Sequence, residues 1–280
     1  MRTLDVSMIK ESIKKMCIDA NYYIGKDIKV AFEESLKKEE SPIGKSILVD
    51  LLDNAKIASE KQVPICQDTG MAVVFVEVGQ EVTLVGGDIK EAINQGIREG
   101  YEEGYLRKSV VADPLNRVNT KDNTPGIIYF DIVPGDKVKL KVALKGFGSE
   151  NMSRTKMLKP SDGIKGVEAF VVETVSLAGP NPCPPIVVGV GIGGTIEKAA
   201  MLAKQALMRD IDTESNLPHI NALEKTLLEQ INNLGIGPQG LGGNTTALGV
   251  NVEVFPTHIA GLPVAVNINC HASRHQELIL

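Results

Sequence analysis

The chain has no tryptophan, and its aromatic residues together make up only 4% of 280 residues. Its core must therefore be aliphatic, and a hydrophobic content of 43% is enough to bury a sizeable one. No apolar run approaches the ~20 residues that a membrane-spanning helix needs. The start, Met1-Arg2-Thr3-Leu4-Asp5, has none of a signal peptide's apolar stretch. A cytoplasmic protein without a membrane partner is expected. Lys/Arg clusters with interleaved aromatics are missing and the formal charge is −5, so nucleic acid is not an expected partner. Four dispersed cysteines make no secreted disulfide framework, and no C-x2-C pair marks a structural zinc site. Internal repeats and low-complexity segments are also absent from the sequence.

What is present is three cysteines in unusual settings: Pro64-Ile65-Cys66-Gln67-Asp68-Thr69-Gly70, Asn181-Pro182-Cys183-Pro184-Pro185 and Asn267-Ile268-Asn269-Cys270-His271. Each is flanked by Pro, Asn or Asp rather than by helix formers, which places it on a turn or strand end. Three converging thiolates can hold three corners of an iron–sulfur cluster and leave the fourth iron to a substrate. Such an open corner is a Lewis acid. The three together, with their Pro and Asp neighbours, point to a shared metal site; taken singly, each thiol reads better as a small packed apolar group. Cys17 is the example of that case: Val6, Ile9, Ile13, Met16, Cys17 and Ala20 recur at helical spacing.

Periodicity predicts a helical N-terminal part. A first helix carries Cys17, a second Ile28, Phe32 and Leu36, and a third starts at Pro42 and continues through Ile43, Ile47, Leu51, Ala55 and Ala58. A strand follows at 71–76, a turn at Gly86-Gly87, and a capping box of Asp88 and Glu91 opens a helix through Tyr105. A strand at 126–133 and the alternating Val138, Leu140, Val142 and Leu144 read as a hairpin with one wet face. It leads into a polar glycine loop, 145–151, and a helix over 164–177. Next come a buried strand at 186–190 and a turn through Gly191, Gly193 and Gly194 into a helix from Thr195 to Met208. That glycine turn suits an anion at a helix N-terminus or close strand–helix packing. A helix over 220–234, a polar glycine loop at 242–246 and strands near 247–254 and 263–269 complete the chain. The expected fold is mixed α/β of an α+β-like kind. It has a helical N-terminal part (1–62) and central mixed or antiparallel sheets with surrounding helices. Residues 1–280 are read as one catalytic domain.

Five segments together resemble a known family. These are Ile65 to Gly70, Gly148-Ser149-Glu150-Asn151, Asn181 to Pro185, Gly243-Asn244-Thr245-Thr246-Ala247-Leu248-Gly249 and Asn267 to His271. In this order they are similar to the class I, iron–sulfur-dependent fumarate hydratases, above all the alpha subunit of two-chain fumarases and L-tartrate dehydratases. The resemblance implies a [4Fe–4S] cluster on Cys66, Cys183 and Cys270. It also implies a substrate-contacting Asp68 beside the cluster, a carboxylate-binding Arg107, a Gly148 whose backbone approaches the substrate, and an active-site His258. By the residues alone, Asp68 serves equally as a cap, Arg107 as a surface helix residue and His258 as a satisfied loop histidine. Phe147 departs from a glycine found in many relatives. Single-chain relatives continue into a second domain that carries further substrate-binding residues and the proton-abstracting base. Here the chain stops ten residues after Cys270, so a separate beta subunit, in a hetero-oligomer of two alpha and two beta chains, is expected to supply them.

The implied reaction is the reversible dehydration of (S)-malate to fumarate. The alternative in the same chemistry is L(+)-tartrate dehydration. Alternatives of other classes are an electron-transfer iron–sulfur protein, which would need Cys17 as a fourth ligand, and a non-catalytic subunit with packed thiols.

Overall fold

A computed structural model describes residues 2–280. In chain order the elements are β1 (Arg2–Asp5), α1 (Val6–Tyr22), α2 (Lys26–Lys38), α3 (Pro42–Lys61), β2 (Met71–Gly79), β3 (Val82–Val85), α4 (Ile89–Glu103), β4 (Ile127–Val133), β5 (Val138–Lys145), α5 (Phe147–Glu150), β6 (Arg154–Leu158), α6 (Gly163–Ala178), β7 (Ile186–Gly193), α7 (Ile196–Ala206), α8 (Pro218–Asn232), β8 (Ala247–Phe255), β9 (Leu262–Asn269) and β10 (His275–Ile279). The class is mixed α/β, as the sequence predicts. Among the described residues no helix is long and apolar enough to cross a membrane. The chain divides into two compact units. Unit 1 comprises the residues up to Ile24, then Asn54–Phe147 and Arg274–Leu280; unit 2 comprises Gly25–Asp53 and Gly148–Ser273.

Unit 1 is organised by a four-stranded sheet of order β10-β5-β2-β4, with β1 and β3 as a separate parallel pair. Its core joins Ile9, Ile13, Met16 and Cys17 of α1, Ile93, Ile97 and Tyr101 of α4, and Val74, Val76, Leu140 and Val142 of the sheet. Each fully buried aliphatic side chain of this kind contributes about 1.5–3 kcal/mol. α4 lies close against α1 because it presents glycine there. A Cβ on Gly96 would stand 2.5 Å from the Lys10 carbonyl oxygen, and one on Gly100 2.9 Å from that of Lys14. Asp88 caps α4, accepting the Glu91 N–H at 2.9 Å. The helix ends at Glu103 rather than Tyr105, because Gly104 caps it and Tyr105 takes a left-handed backbone, φ 51°.

The strands at 127–133 and 138–145 do not form the expected hairpin. β2 lies between them, parallel to β4 and antiparallel to β5. The alternation of lysines in β5 reflects its other neighbour: Lys139 and Lys141 pair with Glu277 of β10 at 2.7 and 3.2 Å.

Unit 2 is built on a second four-stranded sheet, order β6-β9-β7-β8. α6 and α8 supply Val167, Phe170, Val171, Ile220, Leu223 and Leu227 to its core. The glycines of β7 decide the ambiguity left by the sequence in favour of packing. A Cβ on Gly189 would stand 2.2 Å from the Ala203 oxygen, and one on Gly191 2.0 Å from that of Ala199. Backbone contact of that closeness between β7 and α7 requires the missing side chains. The N-terminus of α7 already holds a carboxylate, since Glu197 bonds the Thr195 hydroxyl. The predicted polar loop after Lys145 contains a single helical turn, α5.

A second loop reading holds, with an unforeseen anchor. The backbone N–H groups of Asn244 and Thr245 donate to the carboxylate of Glu39 at 2.9–3.0 Å, as do those of Glu40 and Ser41 at 3.0 and 3.1 Å. Glu39 is 1% exposed. Burial alone would raise its pKa, but these donors outweigh burial and hold it below the ordinary carboxylate value. The Gly242–Thr246 loop is thus closed around an internal anion.

Candidate active site

The residues singled out by sequence divide between the two units. Cys66, Asp68 and Arg107 belong to unit 1; Gly148, Cys183, His258 and Cys270 belong to unit 2. Among the described residues no three His, Cys, Asp or Glu side chains form a group that could hold a metal ion.

In unit 1 the Cys66–Gly70 turn precedes β2, and polar groups from several elements hold it along most of its length. Asn21, at the end of α1, accepts the Ile65 N–H through its own carbonyl at 2.9 Å, and Asn54 donates to the Ile65 carbonyl at 2.9 Å. Tyr101, fully buried, donates its hydroxyl to the carbonyls of Thr69 and Gly70 at 2.8 and 2.9 Å. Burial pushes its phenol well above the ordinary pKa, keeping it a donor. Asn123 adds a bond to the Gly70 carbonyl at 3.2 Å. Gly70 itself has φ 77°, and a Cβ there would lie 2.7 Å from the Lys145 backbone. The Asp68 carboxylate accepts two backbone N–H groups, from Gly70 at 3.1 Å and Phe147 at 2.9 Å. Arg107 is exposed, and its carbonyl accepts the Thr69 hydroxyl at 3.0 Å. One turn therefore fixes both the aspartate and the backbone that carries the arginine.

Sequence reasoning missed Arg274, a buried arginine of unit 1. Its guanidinium donates to the Asp68 carbonyl and, at 3.2 Å, to Asn21. Its Nε is buried without a hydrogen-bond partner. A signal was available for Asn21 and Tyr101, because each continues the apolar face of its helix with a polar tip. Arg274 offers none beyond lying four residues after Cys270.

In unit 2 Cys183 stands on the turn before β7 and Cys270 on the turn after β9. β7 and β9 are antiparallel, with Val187 opposite Asn269, so both turns lie at one end of the sheet. Cys183 is exposed and has a left-handed backbone, φ 55°. Its carbonyl faces His271, which donates its N–H at 3.3 Å and brings Nδ1 to 3.1 Å. Gly148, exposed on α5, has open space around it: a Cβ added there would meet nothing nearer than the Asn181 oxygen at 3.9 Å. Two residues on, Glu150 bonds Asn267 at 2.7 Å and pairs with Lys204 at 2.6 Å. Burial lowers the pKa of Lys204, although the charge of Glu150 opposes the shift.

His258 lies elsewhere in unit 2. β8 runs parallel to β7, with Gly193 opposite Phe255, so His258 emerges at the end of the sheet away from Cys183 and Cys270. An eight-residue strand separates the two ends by roughly 25 Å. His258 accepts the Ala260 N–H at 3.2 Å and is exposed.

The three cysteines on turns differ sharply from the fourth. Cys66 and Cys270 are partly accessible and Cys183 is exposed, whereas Cys17 is completely buried. Burial pushes the Cys17 thiol up to about 12, which disfavours the thiolate that a metal ligand requires.

A family model described as fumarate hydratase (fumerase) matches residues 10–279. The chain belongs to that family. It is accordingly a hydro-lyase, a class of enzyme that removes or adds water across a carbon–carbon bond. Similar curated proteins span most of its length. "Putative L(+)-tartrate dehydratase subunit alpha" of Methanocaldococcus jannaschii is 47% identical over 272 residues, 95% of each chain. "L(+)-tartrate dehydratase subunit alpha" of Escherichia coli O157:H7 is 39% identical over 246 residues, 86% of this chain and 80% of the relative. The protein of the same name from Escherichia coli K12 is 38% identical over 246 residues.

Proposed function

We propose that this hydro-lyase is the alpha subunit of a two-chain enzyme that interconverts (S)-malate and fumarate, in the cytoplasm, with a [4Fe–4S] cluster on Cys66, Cys183 and Cys270. The observation that carries the proposal is the contrast among the thiols: three accessible ones on turns between elements, in a chain whose other cysteine is sealed in the core. Thiolate donors of this number suit a cluster that keeps one iron open. When bound, the cluster supplies a Lewis acid for the substrate hydroxyl.

The chain's own residues then have separable tasks. Arg107, exposed and held through its carbonyl by the Thr69 hydroxyl, binds a substrate carboxylate in bidentate fashion. Neutralising that carboxylate favours loss of the proton from the neighbouring carbon, because the developing enolate charge is met by a fixed cation. Asp68, held on both oxygens by backbone N–H groups, orients the hydroxyl side of the substrate. Gly148, with no side chain and open surroundings, lets the backbone approach. His258 emerges at the far end of its sheet from Cys183 and Cys270 of its own chain, which leaves it without a part at their site. A beta subunit supplies the base, in keeping with the alpha-subunit names of the relatives. Those same names favour a second reading of the substrate, L(+)-tartrate.

The test is anaerobic co-expression with a candidate beta chain, followed by iron and sulfide analysis and turnover of both acids. About four irons per alpha chain with malate turnover supports the proposal. Four irons with turnover of L(+)-tartrate alone moves the substrate, and absence of iron overturns the cluster.

A further inference from the structure

Beyond the three thiols, unit 2 contains a small polar device built around the backbone of Cys183. Cys183 is not glycine, yet it holds a left-handed conformation that L side chains rarely adopt. Such a conformation persists only where its surroundings over-determine it. Here they do. The Cys183 N–H donates to the Pro180 carbonyl at 3.0 Å, and its carbonyl receives the His271 N–H at 3.3 Å with His271 Nδ1 at 3.1 Å. The next carbonyl, that of Pro184, receives both the backbone N–H and the side-chain amide of Gln239 at 2.8 Å. Gln239 Nε2 also lies 3.3 Å from His271 Nδ1; with Nδ1 accepting from that amide, the His271 backbone N–H on the Cys183 carbonyl closes a ring through Gln239 back to Pro184. Gln239 is itself left-handed, φ 52°. Two strained residues thus face each other across one imidazole.

The imidazole belongs to the residue after Cys270. Whatever fixes His271 therefore fixes the spacing between two of the cysteines. We infer that Gln239 and His271 form a clamp that positions the Cys183 thiolate relative to Cys270, and so retains the cluster. This inference rests on the cluster reading given above. Neither residue touches substrate in it: both are positioning residues, acting through the main chain of a ligand. Partners of this kind outside the ligand set govern metal retention without supplying a bond to the metal.

His271→Ala removes the ring and His271→Asn restores, near the place of Nδ1, an amide oxygen that can accept from Gln239. Gln239→Gly removes the amide at a position whose backbone suits glycine. Two measurements are made on the full chain. The first is deuterium exchange of residues 179–187 in the metal-free protein. The second is the rate of iron loss to a chelator after anaerobic reconstitution with iron and sulfide. His271→Ala should speed both by about ten-fold, with the melting temperature of the metal-free protein unchanged. Gln239→Gly should do the same to a smaller extent, and His271→Asn should return both rates close to native. Native rates of iron loss in the alanine variant would overturn the clamp and leave the cluster reading standing. A native chain that takes up no iron overturns the cluster reading itself, and the clamp's task with it.

Discussion

The sheets of the two units share one pairing pattern. In unit 1, β10, β5 and β2 pair antiparallel in succession and β4 joins β2 in parallel; in unit 2, β6, β9 and β7 do the same and β8 joins β7 in parallel. In each, the turn before the third strand carries a cysteine, Cys66 before β2 and Cys183 before β7. The turn after the second strand also bonds to it in each: Phe147 donates to Asp68, and His271 to Cys183. The difference lies in how the turns are held. Unit 1 fixes its turn with buried side chains whose polar tips reach several carbonyls, whereas unit 2 relies on strained backbone and a few half-buried groups. The lesson is that one strand arrangement presents a cysteine-bearing turn twice, and the local bracing decides how stiff each is.

The largest expected effect breaks both turns chemically. Cys66→Ser and Cys183→Ser should each abolish the proposed cluster and reduce activity to background, while circular dichroism and melting temperature stay near native; retained full activity in either would sink the site. Next comes a steric test of the unit 2 sheet. Gly191→Ala forces a Cβ to 2.0 Å from the Ala199 oxygen and should cost about 3 kcal/mol by denaturant titration. An unchanged midpoint would mean that α7 yields freely.

Glu39→Gln keeps one acceptor oxygen but aims amide hydrogens at backbone donors, at a cost of about 2–3 kcal/mol. Its effect should appear as faster hydrogen exchange in residues 242–246, and normal protection there would contradict the anchoring role. Arg107→Lys sharpens the functional side. It should raise KM about ten-fold or more with little loss of melting temperature, because a lysine cannot reproduce the bidentate fork.

The smallest effect concerns acid stability in unit 1. Burial tends to raise the pKa of Asp122. The Thr124 N–H, Arg98 and the Thr124 and Thr120 hydroxyls outweigh it and bring the value from 3.8 down to about 2. The folded value is depressed, so the stabilisation is complete above about pH 4 and is lost as pH falls through about 2. Asp122→Asn should therefore cost about 1–2 kcal/mol at neutral pH and nothing near pH 2. An equal loss at both pH values would rule out a charge effect.

Much of this was legible in the sequence because apolar periodicity reports burial directly. α1, α2, α3, α6 and α8 follow the spacing of their apolar residues, and Cys17 lies in the core as its position predicts. The strand pairing was not legible. Nothing in 127–145 states that β2 will insert between two neighbours in sequence, since that depends on residues more than fifty positions earlier. The short strands β1, β3, β6 and β10 were also missed, being too brief to show an alternation. At the candidate site the types of residue were readable from their flanks, but not their neighbours. Arg274 and Glu39 act through backbone groups that leave no mark on the local pattern, and the distance of His258 from Cys183 follows only from strand direction.

Because β10 belongs to unit 1 and pairs with β5, its residues leave the ribosome only after all of unit 2 has been made. Domains tend to fold as units while synthesis proceeds. Unit 2 is therefore an insertion in unit 1, and the sheet beneath Cys66 closes only when β10 has returned from it. Arg274, the brace of the Asp68 turn, arrives with that strand. The support of the Cys66 turn is thus a contact across 206 residues, from Arg274 to Asp68, and contacts of such long separation are the slow ones to form.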